Sequence, residues 1–221
     1  MNYEQARFNM IEQQIRPWEV LDNQVLSLLA VVKREDFVPA AHKALAFVDM
    51  EIPLPPQANP SQCMLAPKVE ARILQELAVQ KHEKVLEIGA GSGYMAALLA
   101  SKARHVTTVE INPALKEMAQ KNLANANVTN ATVELGNGSD GSTPGAPFDV
   151  IMISGALEVL PEVFLKQLKV GGRIAAIVGV APVMQCVIIT RVAETAWDTV
   201  QVFETNIKAL ASAPQPSHFA F

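Results

Sequence analysis

Val85-Leu86-Glu87-Ile88-Gly89-Ala90-Gly91-Ser92-Gly93-Tyr94 is the stretch that decides the fold. The residues up to Ile88, starting at Lys84, read as a short, largely apolar strand, and residues 95–101 read as a helix. Between them, glycines alternate with small side chains. Glycine reaches backbone conformations closed to other residues and lets a ligand approach the chain. At a helix N-terminus, where N–H groups are unpaired, that is a place to hold a nucleotide. A plain strand-to-helix turn would also explain the glycines, so their spacing carries the argument.

A dinucleotide loop runs Gly-x-Gly-x-x-Gly, with its last glycine packing the helix closely. Tyr94 stands where that glycine belongs, which disfavours an NAD-dependent dehydrogenase. The pattern here is Glu-x-Gly-x-Gly-x-Gly, made by Glu87, Gly89, Gly91 and Gly93. A carboxylate two positions before the first glycine suits a ligand with a positive amino group. S-adenosyl-L-methionine carries an ammonium and a sulfonium; NAD carries neither. Glu110 ends the next strand, where a carboxylate accepts hydrogen bonds from both hydroxyls of a ribose. After the third strand, Gly136-Asn137-Gly138 offers an amide to the edge of an adenine, although Asn-Gly is equally a turn dipeptide. The expected cofactor-binding set is therefore Glu87, Gly89, Gly91, Gly93, Glu110, Asn137 and Gly138.

Working outward, strands and helices alternate. A strand at residues 105–109 leads to Asn112-Pro113, an N-cap with proline in the first turn of a helix ending near Asn125. Residues 131–135 and 148–153 read as strands, Pro161 opens a helix, and Gly171-Gly172 turns the chain into a strand at 173–178. Residues 185–192 and 197–203 form a hairpin pattern. Such alternation predicts a mostly parallel sheet covered on both faces. Before residue 80 the character differs. Residues 5–15 place Phe8, Ile11 and Ile15 at helical spacing, ended by Pro17; Asp22 caps a second helix burying Val25, Leu28, Leu29 and Val32. Phe37-Val38-Pro39 closes that segment. From Pro53 to Pro67 the chain is proline-rich and aperiodic, an extended loop, and Pro67 starts a helix reaching about Val79.

The fold class that follows is α/β: a Rossmann-like S-adenosylmethionine-dependent methyltransferase fold with a C-terminal antiparallel hairpin and an added N-terminal helical region. Residues 1–80 form that helical region and an acceptor-side loop, packed on the main domain; 81–210 form the cofactor-binding domain; 211–221 form a loosely held tail.

Composition bounds the setting. The chain has 221 residues, half of them hydrophobic, and a formal charge of −4, which argues against a nucleic-acid partner. Cys63 and Cys186 make no CxxC pair and the four histidines are scattered, so no metal site is expected. A reducing, cytoplasmic location is expected, with no signal-peptide pattern in MNYEQARFNM and no apolar run near the ~20 residues that span a bilayer.

Laid along the chain, these motifs resemble the protein-L-isoaspartate (D-aspartate) O-methyltransferase family over most of residues 9–180. Met10-Ile11-Glu12-Gln13-Gln14-Ile15-Arg16 is similar to that family's amino-terminal signature. Phe37-Val38-Pro39 and Asp49-Met50-Glu51-Ile52-Pro53-Leu54-Pro55 are similar to its next landmarks, and Phe148-Asp149-Val150-Ile151 to its fourth strand. The resemblance implies an enzyme that methylates the abnormal carboxylate of isoaspartyl residues in damaged proteins or peptides. Methylation favours return to the succinimide and eventual repair.

Two departures stand out. The family's substrate loop ends Gln-Thr-Ile-Ser-x-Pro, its serine contacting the substrate carboxylate. Here the stretch is Gln62-Cys63-Met64-Leu65-Ala66-Pro67, with Leu65 at the serine position and Cys63 at the threonine position. Gln57-Ala58-Asn59-Pro60-Ser61 replaces the preceding glycines, and Asn137 replaces the aspartate of Gly-Asp-Gly. Ser61 and Cys63 are the only acceptor-side candidates. A different acceptor, or a catalytically silent S-adenosylmethionine-binding protein, stays open as the alternative. An acceptor carboxylate is already ionised at neutral pH, so no strong general base is required. Oligomeric state is open, a monomer being the simpler expectation.

Overall fold

The structure, a computed structural model, describes residues 2–55, 62–141 and 143–214. Asn2 caps the first helix, α1 (Tyr3–Met10), its side chain accepting from the Gln5 N–H. The helix does not continue to Ile15 in α geometry: Ile11–Ile15 widens into a π-helical turn, and Arg16–Trp18 closes as a 3-10 turn. Ile11 and Ile15 are buried as expected, but Phe8 is 59% exposed. The inward position one turn before Ile11 belongs to Arg7, buried in an ion pair with Glu35. A polar partner distant in sequence, rather than hydrophobic spacing, sets that face.

Asp22 caps α2 (Asn23–Val31), accepting from the Gln24 N–H at 2.7 Å, and Val25, Leu26 and Leu29 are buried below it. The stretch from Pro53 to Pro67 is not wholly loop. β1 (Ile52–Pro53) pairs antiparallel with β2 (Cys63–Met64) in the register Ile52↔Met64 and Pro53↔Cys63. Two residues per strand are too few to show a period, and proline is tolerated at such an edge. α3 (Pro67–Leu77) follows, with proline in its first turn.

The glycine-rich stretch then starts the large sheet. In chain order come β3 (Lys84–Ile88), α4 (Tyr94–Lys102), β4 (His105–Glu110), α5 (Pro113–Asn125), β5 (Ala131–Leu135), β6 (Phe148–Leu157), α6 (Glu162–Lys166), β7 (Leu168–Val180), β8 (Val183–Ala193) and β9 (Ala196–Thr205). They build a seven-stranded sheet ordered β5-β4-β3-β6-β7-β8-β9. From β5 to β7 neighbours are parallel, and β7-β8-β9 is an antiparallel meander. The strand after Gly171-Gly172 begins earlier than expected, because β7 runs through both glycines. A Cβ on Gly172 would lie 2.9 Å from the Asp149 carbonyl oxygen, so glycine permits close strand contact where the β6–β7 register shifts.

Apolar side chains fill both faces. One cluster joins the N-terminal helices, through Met10, Leu29 and Leu74, to α4, α5 and sheet residues such as Val85 and Met152. The other packs Phe148, Phe164 and Leu168 around Ile151 and Ile174. Trp18 meets Phe203 of β9 edge-on at 5.0 Å between ring centroids, tying the N-terminal region to the meander. Strand order reverses around β3, whose neighbours are β4 and β6. In open α/β sheets, ligands bind beyond the carboxyl ends of strands at such a switch point.

Candidate active site

A cleft open to solvent lies at that switch point. Its walls cross the carboxyl ends of the strands in order: Gly136, Asn137 and Gly138 after β5, Glu110 and Ile111 at β4, Gly89 and Gly91 after β3, and Ser154 and Gly155 near the end of β6. Leu54, Gln62, Cys63 and Leu65 close it from the side of the small β1–β2 sheet.

The glycine loop is shaped by backbone demands. Gly89, Gly91 and Gly93 all have positive φ, at 93°, 53° and 83°. Gly89 and Gly91 line the cleft, whereas Gly93 serves helix packing: a Cβ there would sit 3.2 Å from the Ala119 Cα and carbonyl oxygen on α5. The glycine needed for close helix approach is thus Gly93 rather than the dinucleotide position held by Tyr94.

Glu110 is oriented by its own backbone neighbours. One carboxylate oxygen accepts from the Gly91 N–H at 2.8 Å and the other from the Asn112 N–H at 3.0 Å. The carboxylate faces the cleft already fixed in place, with lone pairs to spare. Glu87 behaves differently. It is wholly buried in a recess adjoining the cleft, shared with Tyr94, Glu70, Leu65 and Ser154. Ser154 Oγ donates to Glu87 Oε1 at 2.9 Å, while Oε2 has no partner among the described residues. Burial pushes the Glu87 carboxyl up to about 8, with Glu70 and Glu110 adding like-charge repulsion.

Asn137 is exposed at the cleft's far end. Its carboxamide oxygen already accepts from the Ser139 N–H at 3.1 Å. Ser139 Oγ also donates to it at 2.7 Å, so the oxygen is committed within the turn and the NH2 is the part of the amide with hydrogen-bonding capacity left for an adenine edge. Gly138 packs closely on β3, where a Cβ would fall 2.7 Å from Ile88 Cδ1 and push that side chain aside.

On the acceptor side, Leu65 is buried, and its carbonyl accepts from Arg34 Nη2 at 2.7 Å. Burial, then the neighbouring Glu51 charge, pushes the Cys63 thiol up to about 12, which disfavours a thiolate near neutral pH. Ser61 lies outside the described residues. Among the described residues no group of His, Cys, Asp or Glu is arranged for a metal ion.

One wall is absent from the sequence reading. Lys208, Ala209, Leu210 and Ala211, partly in the expected tail, line the cleft. The Ala156 N–H donates to the Lys208 carbonyl at 3.0 Å and the Leu210 N–H to the Ala156 carbonyl at 2.8 Å, a strand-like attachment to β6. Leu210 Cδ1 lies 3.2 Å from where a Gly89 Cβ would be, and Ser139 Oγ is 2.7 Å from the Ser212 carbonyl. No periodicity marks so short a segment, in which Leu210 stands between Ala209 and Ala211.

Comparison with known proteins shows the family. The family model for protein-L-isoaspartate(D-aspartate) O-methyltransferase matches residues 5–204. The chain belongs to this family. A Herpetosiphon aurantiacus protein-L-isoaspartate O-methyltransferase is 38% identical over 86% of the chain and 83% of its own length. A Methanoculleus marisnigri protein of the same name is 38% identical over 78% of this chain and 77% of its own. A Plasmodium falciparum structure bearing the family name, in complex with S-adenosyl-L-homocysteine, superposes with a TM-score of 0.76 over 95% of this chain and 98% of its own. At 16% identity, that likeness speaks for the fold. Isoaspartyl methyltransferases thus share the architecture through which β3, β4, β5 and β6 present the cleft here.

Proposed function

We propose that this protein is an S-adenosylmethionine-dependent methyltransferase acting on the carboxylate of isoaspartyl residues in proteins or peptides. The observation that carries the reading is the order of polar groups along the cleft, on a chain matched to the family from residue 5 to 204. Glu110 is fixed to accept from ribose hydroxyls. Ile111 and Leu115 supply apolar wall for an adenine, and the Asn137 amide suits a ring nitrogen. The unpartnered Glu87 oxygen suits an ammonium, which would ionise the carboxyl. The residues present therefore fit the cofactor.

When bound, S-adenosylmethionine supplies a methyl group on a positively charged sulfur, and transfer to a carboxylate oxygen leaves a neutral ester and thioether. The protein has no proton to remove from such an acceptor. Its residues hold the partners in line, and the walls formed by Leu54, Leu65 and Leu210 exclude water. Leu65 cannot donate a hydrogen bond to the acceptor, so positioning through the loop is weakened, a loss of about 1–3 kcal/mol for a bond to a charged group.

The test pairs calorimetry with S-adenosylmethionine and methyl transfer to an isoaspartyl peptide beside its aspartyl twin. Binding together with turnover of the isoaspartyl peptide alone is expected. Absence of binding at millimolar cofactor overturns the cofactor reading. Binding without turnover points to another acceptor or a silent protein. Leu65→Ser is expected to raise isoaspartyl turnover while lowering stability by about 2–3 kcal/mol, since a buried apolar side chain is lost.

A further inference from the structure

The β6 end of the cleft is the end that the cofactor-binding groups leave free. Adenosine-facing groups occupy β5 and β4, and Glu87 sits on β3, so an acceptor must enter over Ser154, Gly155 and the segment attached beside them. An isoaspartyl acceptor is anionic, and a donor or cation is needed there. Ser154 Oγ already donates to Glu87. Leu65 has no polar side-chain atom, and Cys63 holds a weakly donating thiol. Gln62 is drawn toward β4, its carboxamide oxygen accepting from Asn112 Nδ2 at 2.9 Å.

One charged donor remains on the wall. Among the described residues, Glu110 and Lys208 are the charged residues that line the cleft, and only Lys208 is positive. Its backbone is pinned on both sides: its N–H donates to Glu51 Oε1 at 3.2 Å, and its carbonyl accepts from Ala156, directly after Gly155. The side chain forms no ion pair among the described residues. It also stands close enough to Cys63 to act on that thiol. A pinned backbone with an uncommitted ammonium is a suitable anchor for a carboxylate.

We propose that Lys208 binds the acceptor carboxylate at the β6 end of the cleft, supplying from the C-terminal segment the contact that Leu65 cannot make from the loop. The proposal rests on the isoaspartyl reading above. Lys208 acts as a substrate-binding residue; it takes no part in bond making. A point charge on a flexible stem tolerates varied peptide contexts better than a fixed hydroxyl.

The experiment measures kcat and KM for an isoaspartyl peptide, and the S-adenosylmethionine Kd, in wild type, Lys208→Ala, Lys208→Arg and Ser61→Ala. Because the backbone makes both anchoring bonds, truncating the exposed side chain leaves the fold intact, and thermal unfolding checks this. Lys208→Ala is expected to raise KM about tenfold, the scale of a lost bond to a charged group. The cofactor Kd and kcat should change less than about twofold, Lys208→Arg should recover most of the loss, and added salt should raise KM in wild type more than in Lys208→Ala. Wild-type turnover with an unchanged KM in Lys208→Ala, or a KM rise seen only in Ser61→Ala, overturns the role of Lys208 and leaves the isoaspartyl reading standing. Cofactor binding by the wild type with no turnover of the peptide overturns both.

Discussion

Glu87 shows how burial changes what a side chain means. A carboxylate in this motif reads as a standing negative charge, yet here it is wholly buried with one oxygen unpartnered. Burial, offset in part by the hydroxyls of Thr108 and Ser154 and reinforced by Glu70 and Glu110, holds its pKa near 8, so near neutrality the cofactor-free protein carries it mostly protonated. The sign of the pH effect follows. Between the ordinary carboxylate range and about 8, the folded chain keeps a proton that the unfolded chain has released, so stability falls as pH rises through that window. Glu87→Gln removes this slope. Thermal unfolding of the cofactor-free variant should vary less between pH 5 and 8 than wild type, and at pH 8 its Tm should be higher by a few degrees, at roughly 2–4 °C per kcal/mol for a chain of this size. Calorimetry should show S-adenosylmethionine bound about tenfold more weakly by the variant. Parallel Tm profiles for the two proteins would show that Glu87 does not titrate in this window.

At the scale of elements, local chemistry was largely readable. Asp22 and Asn112 cap the expected helices, and β3 and β5 run over the expected residues, since caps and short apolar runs depend on neighbours only a few positions away. The misses have a common cause. The β1–β2 ladder and the early start of β7 each depend on pairing with a strand elsewhere in the chain. The glycine loop shows both sides: its turn was legible, but Gly93 proves to face α5 instead of the cleft. Gly93→Ala combines a positive φ with contacts to Ala119 backbone atoms, and it should destabilise the protein by about 1–3 kcal/mol. Urea denaturation checks this. An unchanged midpoint would mean that α4 and α5 can move apart freely.

Across the whole molecule, the cleft is a product of assembly. Its walls come from the glycine loop, the ends of four parallel strands, the small β1–β2 sheet and the segment at Lys208–Ala211. A ligand touching so many elements should stabilise all of them together. S-adenosyl-L-homocysteine at a hundred times its Kd should add about 2.7 kcal/mol, read as a Tm rise of several degrees. In a chain ending after Thr205 that rise should fall below half, because the wall carrying Leu210 is gone. A full rise in the shortened chain would remove the C-terminal segment from the site.

Local sequence dictates the α/β alternation, the helix caps, the Glu-x-Gly-x-Gly-x-Gly turn and Glu110 at a strand end. Each is a preference of a few consecutive residues, expressed wherever the chain goes. Tertiary structure alone decided which groups meet. It buried Glu87 beside Ser154, committed the Asn137 oxygen to its own turn, and set Lys208 and Leu210 against β6 and the glycine loop. The physical reason is that strand order, not chain order, chooses neighbours at the sheet's carboxyl edge. The acceptor end of this cleft is therefore written in residues that no local pattern connects.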